Sequence, residues 1–320
     1  MAKVRRETSS TGHVETYAQR QGIAAVAERR ESVQRSSGDR AGLWGWLSET
    51  RVHRESREPI PRISRWSVAI VIGYLAAIAG AELISALVDP VAGTLLHLAV
   101  LLCLVFHSSF ADDDGSRKLY IALALAPLIS IVATTLPGPE QAIYSYFVIC
   151  IPVLVGSVVV MRILGFSLSN VGLCFGKNPP IQGFVALTGI GFGIAEYGIV
   201  HPDPLIDALT LRELLPAVVV FAVATAFVEE LCFRGVIQRS ITEGMRAWGW
   251  VYVACLFAVL HIGYLSVLDL GYVSGGYLLF VMAMGLFLGW SVERTGSLIG
   301  VTFSRSVANA GAYLVIPLLV

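Results

Sequence analysis

Nine apolar stretches, each near the length of a membrane crossing, alternate with short polar breaks from Trp66 to the end of the chain. They fall at residues 66–88, 91–110, 119–136, 143–164, 183–200, 213–237, 247–268, 276–291 and 297–316. About 20 apolar residues in a helix cross the hydrocarbon core, and fewer suffice where flanking side chains snorkel. The pattern predicts an all-α polytopic membrane protein, a bundle of eight or nine transmembrane helices around a polar intramembrane cavity. Residues 1–62 break this pattern: they are rich in Arg, Ser and Glu and end in Pro59-Ile60-Pro61. So polar a segment has little apolar surface to bury and reads as a largely disordered basic tail. Weak helical periodicity from Glu15 to Arg35 and the cluster Leu43, Trp44, Trp46 and Leu47 mark two marginal helices within it, the second suited to a membrane surface. The expected organisation is a tail (1–62), N-terminal transmembrane helices (63–144) and a C-terminal core (145–320).

Composition agrees with a chain whose solvent is lipid. Of the 320 residues, 55% are hydrophobic and 14% charged, against about 25% charged in soluble domains. The mean hydropathy is +0.71. Net charge is zero, yet residues 1–65 carry 13 Lys/Arg against 8 Asp/Glu. No part of this distribution calls for a nucleic-acid partner. A basic tail and basic residues in alternate loops (Arg117 and Lys118, Arg162 and Lys177, Arg239 and Arg246, Arg294) predict a cytoplasmic N-terminus in the cell membrane. The opening residues lack the charged, apolar and small-residue pattern of a cleaved signal, so the first membrane helix is expected to direct insertion. Five cysteines (Cys103, Cys150, Cys174, Cys232, Cys255) show no metal or redox spacing and read as reduced packing residues. Asp112, Asp113 and Asp114 read as a solvated turn.

Polar residues inside the apolar stretches carry the functional signal. Glu229 and Glu230 are adjacent carboxylates at membrane depth, where each charge costs about 2.5–3.5 kcal/mol on insertion scales. Arg234 lies four residues beyond Glu230 and so shares its helix face, while Glu229 is turned by about 100°. One carboxylate is thereby neutralised and the other left to face a cavity as a general base. Phe257 and His261 repeat the four-residue spacing in the next stretch, and Arg305 and Asn309 in the last. Counted from the cytoplasmic ends at about 1.5 Å per residue, Glu230, Arg305 and Asn309 lie at similar depths and His261 slightly deeper. A lone buried His or Glu–Arg pair has an ordinary structural explanation. A convergent set on three C-terminal helices asks for more. Glu82, Glu196, His97 and His107 read as interhelical hydrogen-bonding residues, and Gly189, Gly191 and Gly193 as a helix-packing face.

These motifs resemble the CPBP group of intramembrane proteases, which includes the endoproteases that trim CAAX-type prenylated proteins and many bacterial relatives. The family's Glu-Glu-x-x-x-Arg is matched by Glu229, Glu230 and Arg234, and its Phe-x-x-x-His by Phe257 and His261. Its third motif is introduced by Gly296, Ser297 and Leu298 and closed by Asn309, but Arg305 stands where a His is expected. The similarity covers about residues 145–316. It implies peptide-bond hydrolysis on a membrane-associated protein or peptide substrate, with Glu229 activating water, His261 orienting it or moving a proton, and Glu230 and Arg234 bracing the base. Arg305 and Asn309 fall where the family places oxyanion donors. No cofactor is expected. Metal dependence stays open, because a guanidinium has no lone pair for a metal. The alternative is an inactive relative, acting as a scaffold or bacteriocin-immunity factor, in which Arg305 pairs with Glu229. A transporter using these groups as a proton path lacks the internal repeat and paired broken helices such folds use.

Overall fold

A computed structural model of the chain describes residues 65–136, 146–176, 179–245, 248–263 and 272–320, so the expected tail, its marginal helices and the Pro59–Pro61 breaker lie outside the described residues. Among the described residues every regular element is helical. We number nine helices: α1 (Arg65–Leu87), α2 (Pro90–Ser109), α3 (Asp114–Thr135), α4 (Tyr146–Ile163), α5 (Pro179–Val200), α6 (Leu211–Glu243), α7 (Gly249–Val259), α8 (Tyr272–Thr295) and α9 (Ile299–Ala310). They coincide with the nine apolar stretches. Seven are long and apolar enough to cross a membrane, whereas α7 and α9 are shorter. The helical path of α9 continues through a wide turn at Gly311–Val315 and a tight one at Ile316–Leu318.

Local chemistry sets the boundaries. Asp89 caps α2 by accepting from the Ala92 amide at 2.6 Å, with Pro90 in the first turn where its missing N–H costs nothing. Asp113 caps α3 by accepting from the amide and hydroxyl of Ser116, and Asp114 pairs with Arg117 and Lys118, so the acidic run is a helix start. Helix α4 ends on Gly165 at φ 69°, which lets the Phe166 amide reach back to the Met161 carbonyl at 2.9 Å.

The bundle buries an apolar core that holds a minority of polar side chains, and its outer surface is apolar as well. On α5, Gln182, Val185, Gly189, Gly193 and Glu196 point inward, while Phe184, Leu187, Ile190 and Ile194 face out. Such outward apolar rows suit lipid, which offers an apolar side chain no penalty and a buried carboxylate no partner. All five cysteines are free thiols. Helix α6 packs against α3, α4, α7 and α9, and α9 lies along α5. The close approach of α5 and α9 rests on glycine: a Cβ on Gly189 would lie 2.2 Å from the Ser304 carbonyl oxygen, and one on Gly193 2.8 Å from that of Ala308. Gly191 faces open space, so the packing face is the four-residue pair Gly189 and Gly193.

Candidate active site where α6, α7 and α9 meet

Both carboxylates sit on an irregular part of α6. The backbone winds as π-helix over Phe221–Phe227 and again over Leu231–Ile237, and the single α turn between them, Val228–Glu230, carries Glu229 and Glu230. Wide turns of this kind are rare inside α-helices and frequent at functional sites. Neither Phe221–Phe227 nor the residues beside it hold the proline or glycine pair that would announce the irregularity in sequence.

Glu230 and Arg234 form an ion pair, Nη1 to Oε1 at 3.2 Å, with both side chains 0% exposed. Glu230 Oε2 and Arg234 Nε and Nη2 have no hydrogen-bond partner among the described residues. The guanidinium is held instead over the ring of Phe257, 4.4 Å from its centroid. Arg305 approaches the same ring at 5.3 Å. A ring that accepts two cations in a dry interior offsets part of the cost of burying them. This gives the aromatic of the second motif a physical task that its spacing alone did not reveal.

Glu229 is placed differently. Its side chain is 32% exposed, and Oε2 accepts from Arg305 Nη2 at 3.2 Å and Nε at 3.3 Å. Oε1 makes no hydrogen bond to a described residue. The third nitrogen of Arg305, Nη1, points to the Met284 sulfur at 3.3 Å. Asn309 Nδ2 donates to the Thr225 hydroxyl at 2.9 Å, tying α9 to the first π segment of α6. His261 lies one turn beyond Phe257, at the end of α7, and its Nδ1 donates to the Phe257 carbonyl at 2.7 Å. A carbonyl can only accept, so Nδ1 carries the proton and Nε2 is the ring's acceptor nitrogen. His261 lies within electrostatic range of Glu229, Arg305 and Arg234.

The start of α9 is pinned from the loop after α4. Gly296 takes φ 68°, the Ser297 hydroxyl donates to the Cys174 carbonyl at 2.6 Å, and the Leu298 amide to the Gly172 carbonyl at 2.8 Å. The Gln182 side chain of α5 accepts from the Gly300 amide at 2.8 Å. The Gly-Ser-Leu entry therefore fixes the register from which Arg305 and Asn309 reach inward.

The remaining membrane-depth polar residues divide into two groups. Away from this site, Ser130 donates to Glu82, and His97 Nε2 lies 3.4 Å from the same carboxylate oxygen, joining α1, α2 and α3. The Tyr74 hydroxyl bonds His107 Nδ1. Glu196, by contrast, is buried beside the site: Tyr313 donates to its Oε1 at 3.2 Å, and the carboxylate is in electrostatic range of Arg305 and Glu229. Sequence reasoning took Glu196 for an interhelical hydrogen-bonding residue, and its bond with Tyr313 is of that kind.

The donor set bears on a metal. Arg305 occupies the place of a second histidine, and among the described residues no three His, Cys, Asp or Glu side chains group as a metal site. The residues present do not fit a two-histidine metal.

Residues 211–311 match the family model described as type II CAAX prenyl endopeptidase Rce1-like. The match runs from the start of α6 to just past α9 and includes all six candidate residues, leaving α1 to α5 outside. No curated protein and no solved structure gives a match.

Proposed function

Taking as premise that segment 211–311 belongs to the CPBP/CAAX protease family, we propose that the protein is an intramembrane endopeptidase whose general base is Glu229. The observation that carries this reading is the asymmetry of the two carboxylates. Glu230 is sealed against Arg234 in the interior, whereas Glu229 is partly exposed with Oε1 uncommitted. Water held between Oε1 and His261 Nε2 gives its proton to Oε1 as its oxygen attacks the substrate carbonyl carbon. The proton then passes to the departing amine as the peptide C–N bond breaks. Arg305, fixed to Oε2, aims the carboxylate, and Asn309 offers its remaining amide proton to the oxyanion. The substrate class is a membrane-associated protein or peptide entering from the bilayer.

One observation favours a second reading. Arg305 spends two of its nitrogens on Glu229, which is the arrangement expected of a silent relative that binds without cutting. A membrane-embedded reporter cleaved by purified wild type, Glu229→Gln and Arg305→His, each with and without a chelator, separates the two. A protease cuts as wild type, loses about 10²–10⁴ in rate as Glu229→Gln because the amide cannot take the proton, and tolerates chelator. A silent relative is inert as wild type and gains cleavage as Arg305→His. Glu229→Gln cutting at wild-type rate refutes the base assignment, and strong chelator inhibition refutes the metal-free scheme.

A further inference from the structure

The side-chain bonds between α6 and α9 form two consecutive rungs. Asn309 Nδ2 donates to the Thr225 hydroxyl at 2.9 Å, and Arg305 Nη2 and Nε donate to Glu229 Oε2 at 3.2 and 3.3 Å. Thr225 precedes Glu229 by four residues and Asn309 follows Arg305 by four, so on these antiparallel helices the rungs lie one turn apart in a single register. In both, α9 supplies the donor and α6 the acceptor. A hydroxyl and an amide can each play either part, and what settles the Thr225 rung is the single proton of that hydroxyl. It goes to the Phe221 carbonyl one turn back, at 2.7 Å. A carbonyl only accepts, so the Thr225 oxygen has only lone pairs left to offer α9, and Asn309 turns its nitrogen toward it rather than its own oxygen. Both side chains are buried, where the opposite orientation would set two acceptors face to face with neither paired. Thr225 stands in the wide-turned segment Phe221–Phe227 and belongs to none of the three motifs.

We propose that Thr225 is a positioning residue of this site: it fixes the Asn309 amide with its nitrogen toward α6, which directs the remaining N–H of Asn309 and holds the register in which Arg305 meets Glu229. This deepens the hydrolytic reading and rests on it for the activity arm of the test only. Thr225→Val keeps the branched shape and removes both bonds, whereas Thr225→Ser keeps the hydroxyl. Ser240→Ala is the control, because Ser240 makes the same one-turn-back bond on α6, to the Val236 carbonyl of its own helix at 3.0 Å. Thermal midpoints of the full chain in detergent are measured for Thr225→Val, Asn309→Leu and the double variant. The double variant should lose clearly less than the sum of the singles, because the two partners then leave together and strand no buried polar atom. In the reporter assay, Thr225→Val should lower kcat by about 10–10²-fold with KM little changed, short of the roughly 10²–10³ that removing an oxyanion donor costs. Thr225→Ser should return most of that loss, and Ser240→Ala should cut as wild type does. Additive midpoints, an unchanged kcat in Thr225→Val, a Thr225→Ser as slow as Thr225→Val, or an equal loss in Ser240→Ala each overturn the proposal. If Thr225→Val alone yields no folded protein, recovery of folded protein in the double variant is the same coupling, and failure to recover overturns it. If the wild type does not cleave the reporter, the hydrolytic reading fails while the midpoints still decide whether Thr225 holds Asn309.

Discussion

The guanidinium of Arg305 and the carboxylate of Glu229 meet 76 positions apart in sequence, and the two glutamates of one motif, adjacent in sequence, meet different fates. Glu230 is wholly buried with Arg234, so deleting either partner strands a charge in a dry interior, at about 3–5 kcal/mol. Glu229 is partly exposed, and its amide analogue keeps shape and most contacts. Arg234→Ala should therefore lower the thermal midpoint in detergent far more than Glu229→Gln, and equal midpoints would show that the buried pair is not a brace. Phe257 enters the same account, because its ring lies under both guanidiniums. Phe257→Leu stays apolar, removes the ring and gives up some volume, so its loss alone does not isolate the cations. Combined with Arg234→Ala it should lower the thermal midpoint by clearly less than the sum of the two single losses, and additive losses would deny the ring its role with the cations.

At the scale of elements, the contact of α5 with α9 decides whether Arg305 and Asn309 reach α6 at all. Two kinds of glycine on α5 test this. Alanine in place of a helical glycine with free space gains about 0.5–1 kcal/mol from chain entropy, so Gly191→Ala should raise the midpoint slightly. Gly189→Ala puts a methyl where the Ser304 carbonyl oxygen already lies and should lower it. The opposite signs are the prediction, read by thermal denaturation of the two purified variants; the same sign for both would mean that the helix pair is not held at glycine contact. The wide turns of α6 act at this scale too, since they surround the one short α turn that presents both carboxylates.

For the whole molecule, the directions of the nine helices place Arg65, Arg117, Lys118, Arg162, Arg239 and Arg294 at one set of helix ends, and Asp89, Asp203 and Asp207 with a single basic residue, Arg212, at the other. We propose on this charge asymmetry that the first set is cytoplasmic. With the native cysteines replaced by alanine, Asp203→Cys should react with a membrane-impermeant maleimide on intact cells and Asp112→Cys only after the membrane is opened. The reverse labelling would invert the orientation, and with it the side from which substrate reaches Glu229.

Much of this was legible in the chain because a bilayer imposes a one-dimensional rule: an apolar stretch of sufficient length becomes a helix, and any charge within it needs a reason. That rule delivered eight or nine helices, and helical spacing put Arg234 on the face of Glu230 and His261 one turn from Phe257. It also left both destinies open for Arg305, oxyanion donor or partner of Glu229, because a sequence gives the angle of a side chain about its own helix and not the distance to a neighbouring one. The tertiary structure supplied that distance. It turned Arg305 onto Glu229, set Phe257 beneath two cations and carried Glu196 to the edge of the site. Spacing within one helix encodes none of these contacts, since each lies between side chains of different helices and depends on how closely those helices approach.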